Sequence, residues 1–124
     1  MSENSKKNIL VSIVMASYNH EEYVAEAIQS VIGQTYQNWE LIIIDDGSTD
    51  KTRDVIESFL GDKRIKFSTQ ENHGVAYTTN KGIKKCSEDV VCLLDSDDFI
   101  SKNTYKLGTQ KMQENNPGIF YMNM

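Results

Sequence analysis

A three-layer α/β/α fold on a parallel sheet is what this sequence predicts, and two observations predict it. Short apolar, β-branched runs alternate with segments of helical periodicity along the whole chain. That alternation implies right-handed crossovers and helices over both faces of the sheet. Two of the apolar runs stop at carboxylates: residues 41–44 end at Asp45-Asp46, and residues 90–94 at Asp95-Ser96-Asp97-Asp98. In a parallel sheet both endpoints share the carboxyl edge, where open α/β sheets bind ligands, so one acidic crevice is expected.

Each element has its own signal. Residues 1–8 are a polar leader without the apolar stretch of a signal peptide, and residues 9–124 form one domain. Residues 9–15 read as a buried strand. Asn19-His20-Glu21-Glu22 carries a capping-box pattern for a helix whose apolar positions are Val24, Ala27, Ile28, Val31 and Ile32, with Gly33 placed to end it. Residues 41–44 are the second strand. Ser48 or Thr49 is expected to cap the next helix, which shows an apolar face of Val55, Ile56, Phe59 and Leu60 and has Gly61 directly after it.

Residues 65–68 read as a short strand and residues 75–85 as a third helix. Gly82 lowers the propensity of that helix, which therefore needs support from tertiary packing. Residues 90–94 are the strand feeding the second acidic cluster, residues 102–114 a polar helix, and residues 119–122, after Asn116-Pro117-Gly118, a final strand.

Composition narrows the function. At 124 residues, 39% of them hydrophobic, the chain can bury a modest core. No apolar run is long enough to span a bilayer, so the chain reads as cytoplasmic, with peripheral contact at the inner face of a membrane left open. A net charge of -5 argues against a nucleic-acid surface, and Lys6-Lys7, Lys63-Arg64 and Lys84-Lys85 read as solvated pairs. Cys86 and Cys92 lack zinc-site spacing and read as buried thiols outside any disulfide. His20 and His73 are each lone, with no metal-ligand spacing, and read as surface or structural residues; Trp39 reads as packing on the sheet edge.

Carboxylates crowded as Asp95, Asp97 and Asp98 are repel one another unless a cation sits among them. Oxygen donors suit a hard ion, Mg²⁺ or Mn²⁺, whose sites take few carboxylates and complete themselves with waters and substrate phosphates. At the first junction structural duty competes, because Asp46-Gly47 is a turn signal and Ser48 a helix cap.

Four blocks in order, residues 11–19 (VSIVMASYN), 39–52 (WELIIIDDGSTDKT), 71–83 (ENHGVAYTTNKGI) and 93–99 (LLDSDDF), resemble the family 2 glycosyltransferases. The resemblance covers nearly the whole chain. It implies a Rossmann-like α/β/α sandwich with a mostly parallel sheet, of glycosyltransferase-A type and here truncated. It further implies transfer of a sugar from a nucleotide-diphospho-sugar donor, expected to be a UDP-sugar, to an acceptor hydroxyl with inversion. Mn²⁺ or Mg²⁺ is the implied cofactor, a glycan or lipid-linked molecule the acceptor, and cell-envelope polysaccharide synthesis the setting.

Carried onto this chain, the resemblance puts Ala16, Ser17, Tyr18 and Asn19 where the first strand-loop meets the nucleobase, with the Tyr18 ring or its backbone against uracil. Asp45 accepts a hydrogen bond from base or ribose, and Asp46 holds the turn and the following helix N-terminus. Asn72, Gly74 and Asn80 match the segment beside the nucleotide, although Asn80 also suits a side-chain bond to a nearby loop. Asp95-Ser96-Asp97 matches the DxD motif, with Asp95 toward ribose and metal, Asp97 toward metal, and Asp98 able to share either role.

Two departures stand out. Ala16-Ser17 replaces a frequent Pro-Thr but keeps a hydroxyl, and Thr79 stands where many relatives carry Arg, removing a cationic contact. The catalytic base of the family belongs to an acceptor-binding half expected beyond Met124, so no catalytic residue is assigned in this chain. A nucleotide-binding fragment without catalysis is the alternative. A phosphoryl-transfer receiver domain is disfavoured, because its acidic pair would follow the first strand, which here runs into Ser17-Tyr18-Asn19.

Overall fold

In the computed structural model, residues 9–86, 90–97, 100–115 and 120–123 are described, which leaves the polar leader and Asp98 outside them. The elements run β1 (Val11–Ser17), α1 (Val24–Ile32), β2 (Trp39–Asp45), α2 (Thr52–Glu57), β3 (Ile65–Thr69), α3 (Val75–Lys84), β4 (Val90–Leu93), α4 (Thr104–Asn115) and β5 (Phe120–Asn123). All pairings are parallel, and the strands lie in the order β3-β2-β1-β4-β5. The order reverses between β1 and β4, so the chain loops after these two strands diverge to opposite sides and open a crevice there.

Burial explains the apolar runs. β2 is buried at every position and β1 at all but Ala16, as expected for central strands covered on both faces. Ile13, Met15, Leu41 and Ile43 share one cluster with Val24, Ala27, Ile28 and Val31 of α1, Ile56 of α2 and Tyr105 of α4. Val14 and Ile44 instead meet α3 at Gly82, where an added Cβ would lie 2.4 Å from Val14 Cγ1. The glycine that weakens this helix by propensity is thus what lets it sit close on the sheet. At the edge, β3 is buried only at Ile65 and exposes the charged Lys66, a common way of keeping an edge strand from pairing with another chain.

Three local expectations are corrected. The capping box before α1 does not form: the helix starts at Val24 behind Tyr23 with no side-chain cap, because Asn19 is spent elsewhere, its Oδ1 accepting the Thr49 N–H at 2.8 Å. Neither Ser48 nor Thr49 caps α2. Its first N–H, that of Thr52, donates to Asp50 Oδ1 at 2.9 Å, while the Ser48 hydroxyl is committed to Asp45. α2 also stops at Glu57, short of Phe59 and Leu60, which belong to a tightened turn with bonds from Phe59 N–H to Ile56 O and from Leu60 N–H to Glu57 O.

Candidate functional site

The carboxyl ends of β1, β2 and β4 lie side by side. Register pairs Ser17 with Asp45, and the Leu94 N–H donates to Val14 O at 3.0 Å just past the end of β4. Three loops therefore leave one edge together: 18–21 after β1, 46–51 after β2, and 95–97 after β4.

Asp45 is fully buried. Its Oδ1 accepts the hydroxyls of Ser17 at 3.0 Å and Ser48 at 2.5 Å, and its Oδ2 accepts the Ser48 N–H at 2.8 Å. The half-exposed guanidinium of Arg53 stands 3.9 Å from the same Oδ2. This carboxylate thus ties the β1 and β2 ends together and closes a turn in which Gly47 takes a φ of 84°.

Asp46 is also buried, but it faces a different segment. Oδ1 accepts from Gln70 Nε2 at 2.9 Å and the His73 N–H at 2.8 Å; Oδ2 accepts from the Gly74 N–H at 2.9 Å and Asn72 Nδ2 at 3.2 Å. Burial pushes the carboxyl pKa up, but the bonds from Gln70, His73 and Gly74 outweigh it and hold the group below its ordinary value. The helix terminus that Asp46 secures is that of α3, reached across the sheet edge, and not that of α2, which follows it in sequence. Gly74, with φ 94°, makes the entry into α3, and Asn72 turns its amide inward to Asp46. Asn80 stands apart: it is exposed in the middle of α3, which runs away from this edge, and so lies about 8 Å along the helix from its start.

Past β4 the side chains alternate. Asp95 is exposed, Ser96 is 1% exposed, and Asp97 is exposed again. Ser96 Oγ lies 2.6 Å from His20 Nδ1, and His20 Nε2 is 3.9 Å from Asp97 Oδ2. Loop 18–21 is also stitched to the β2 side. The Asn19 N–H donates to Ser48 Oγ, the His20 N–H to Thr52 Oγ1, and the Glu21 N–H to Asp50 Oδ2, while Glu21 Oε1 accepts the Lys51 N–H at 2.8 Å. Ala16 is half-buried at the end of β1, and the Tyr18 ring is 45% exposed on the rim.

The fold therefore gathers Ser17, Asn19, Asp45, Asp46, Asn72 and Gly74 into one hydrogen-bonded frame. It joins Ser96 and Asp97 to that frame through His20. Two contributors carry no binding signal in the sequence: His20, which reads there only as a surface or structural residue, and Arg53. The lone histidine gave no spacing signal, because its partner lies across the switch between β1 and β4; what could have pointed to it is its place in the first loop after the central strand. Among the described residues no three His, Cys, Asp or Glu side chains are grouped to hold a metal ion by themselves; Asp95 and Asp97, exposed at a strand end with an imidazole beside one of them, supply two carboxylates of the kind found in ion sites that phosphates and water complete.

The sequence and the fold have counterparts among known proteins. An uncharacterized glycosyltransferase of Haemophilus influenzae is 44% identical over 108 residues, 86% of this chain and 43% of its own length. The UDP-Glc:alpha-D-GlcNAc-diphosphoundecaprenol beta-1,3-glucosyltransferase WfgD of Escherichia coli is 42% identical over 115 residues, 92% of this chain and 45% of its own. The crystal structure of S. aureus TarS 1-349 in complex with UDP-GlcNAc matches with a TM-score of 0.82 at 28% identity, covering 87% of this chain and 32% of that one. The chain thus spans less than half the length of these relatives. Residues 12–124 match the Glycosyl transferase family 2 domain, and with a parallel α/β/α sheet opening at its switch point onto two acidic strand ends, this chain belongs to that family.

Proposed function

We propose that the chain binds the donor in a glycosyltransferase that moves a hexose from a UDP-sugar to an acceptor hydroxyl, in a metal-dependent reaction with inversion. The observation that carries this reading is the joining of loops after β1, β2 and β4 into one frame at the switch point, which leaves Asp95, Asp97 and the Tyr18 ring exposed around it. Support comes from the UDP-GlcNAc bound to TarS and from the UDP-Glc donor in the name of WfgD. The diphosphoundecaprenol acceptor in that name favours a lipid-linked acceptor, met at a membrane surface from the cytoplasmic side. Among the described residues, no helix is long and apolar enough to cross a membrane.

In the transfer, the acceptor oxygen bonds to the anomeric carbon as the bond from that carbon to the diphosphate oxygen breaks, and the electron pair leaves with UDP. The acceptor proton passes to a carboxylate base that the family resemblance assigns outside these residues. Tyr18 offers a ring face to the base, and Ser17 and Asp45 fix the loop that presents it. Asp95 and Asp97 would hold a Mn²⁺ or Mg²⁺ ion, which when bound neutralises charge on the diphosphate. Arg53 adds a guanidinium on the same edge, where Thr79 supplies none.

Calorimetric titration with UDP and GDP, with and without Mn²⁺, tests the reading. The expected result is UDP binding that Mn²⁺ strengthens, with the strengthening lost in Asp97→Asn. Equal affinities of the two proteins in Mn²⁺ would remove Asp97 from the metal role, and no preference of the native chain for UDP would overturn the donor assignment.

A further inference from the structure

We infer that His20 is a positioning residue, which fixes the acidic loop after β4 so that Asp95 and Asp97 face outward together. The inference rests on the donor-binding reading and goes beyond it, since the DxD pattern does not include this histidine. Its imidazole sits between two loops that the sheet alone does not connect at this point. On one side its backbone N–H is held by Thr52 Oγ1 at 2.9 Å, and the neighbouring Asn19, in a left-handed conformation with φ 52°, is bound to Ser48 and Thr49. On the other side Nδ1 lies 2.6 Å from Ser96 Oγ.

The charge pattern selects the tautomer. Nε2 faces the Asp97 carboxylate at 3.9 Å, and an ionised carboxylate only accepts, so the ring proton belongs on Nε2. Nδ1 then accepts the proton of the Ser96 hydroxyl. Ser96, 1% exposed, is on this account a strut and not a ligand. With Ser96 held inward in the turn after β4, Asp95 and Asp97 on either side of it are the residues left exposed, which is the pattern observed. A side chain that orients the ligands of an ion acts on affinity through geometry, and losing such a partner weakens metal binding about ten- to a hundredfold.

The test compares His20→Ala, His20→Asn and Ser96→Ala with the native chain. Asn keeps an acceptor close to the place of Nδ1. Amide hydrogen exchange without any ligand is the first arm: His20→Ala is expected to speed exchange at residues 95–97 while β1 and β4 keep their protection, and His20→Asn to restore it. The second arm is UDP titration with and without Mn²⁺. Here His20→Ala and Ser96→Ala each lose at least tenfold of the Mn²⁺-dependent affinity, their combination loses no more than either, and His20→Asn recovers most of it. Unchanged exchange at residues 95–97 in His20→Ala, or full additivity of the two alanine variants, would overturn the inference. Absence of UDP binding by the native chain would count against the donor reading alone, and the exchange arm would still decide the role of His20.

Discussion

Asp46 shows at the scale of one residue how a carboxylate in an acidic strand end can serve the scaffold. Its two oxygens accept four hydrogen bonds from the segment entering α3, two of them from backbone N–H groups. Asp46→Asn replaces one acceptor oxygen with an amide that points hydrogens at those donors. The variant should lose about 1.5–3 kcal/mol of stability at neutral pH, in the range for hydrogen bonds to a charged group, as read by urea denaturation. The pH dependence has a definite sign. Because the folded carboxyl pKa is lowered, its contribution is complete above the ordinary carboxylate value of about 4 and fades as pH falls through the lower folded value. The gap between native and variant should therefore narrow on acidification from neutral pH toward pH 3, and a gap constant over that range would contradict the account. The Asp-Gly turn signal at this junction was legible in the sequence, but the segment that Asp46 holds was not, since its partners lie well over twenty residues further on.

At the scale of the element, periodicity was a good guide and capping was a poor one. Every strand and helix read from apolar spacing has a counterpart in the structure, including the weak helix around Gly82. The caps failed because Asn19 and Ser48 have polar groups that serve the loops: a short side chain at a strand end can reach a neighbouring loop as easily as its own helix, and here tertiary partners won. α3 gives a test of packing against propensity. Gly82→Ala should gain about 1 kcal/mol of helix propensity and lose about 1–3 kcal/mol from the collision with buried Val14, for a net loss in urea denaturation. Val14→Ala made in that background should cost less than in the native chain; strictly additive effects would show that the close contact is not what fixes the glycine.

At the scale of the whole molecule, the strand order is what turns scattered motifs into a site. Placing β4 next to β1 brings residues 95–97 against a loop that precedes them by some seventy positions, and the His20 to Ser96 contact crosses that span. Ligand and fold are then coupled thermodynamically. UDP with Mn²⁺ at a hundredfold excess over its Kd should stabilise the chain by about 2.7 kcal/mol, raising Tm by on the order of 10 °C. Asp97→Asn should keep the Tm of the ligand-free protein and lose the part of the increase that depends on Mn²⁺. A thermal midpoint indifferent to UDP and Mn²⁺ would speak against the crevice as the donor site.

The class of fold, the parallel sheet, the acidic strand ends and the family are all legible in the order of residues alone. These are written in local patterns, in apolar spacing that matches one kind of element and in blocks of consecutive residues such as LLDSDDF. Which polar side chains serve one another emerges with the packed fold: Asp45 and Asp46 turn inward, Asn19 abandons its helix for a neighbouring loop, and His20 reaches the acidic loop. A hydrogen bond depends on where two groups lie in space. A short polar residue has several partners within reach of its own segment, and the packing of distant segments around one sheet edge chooses among them.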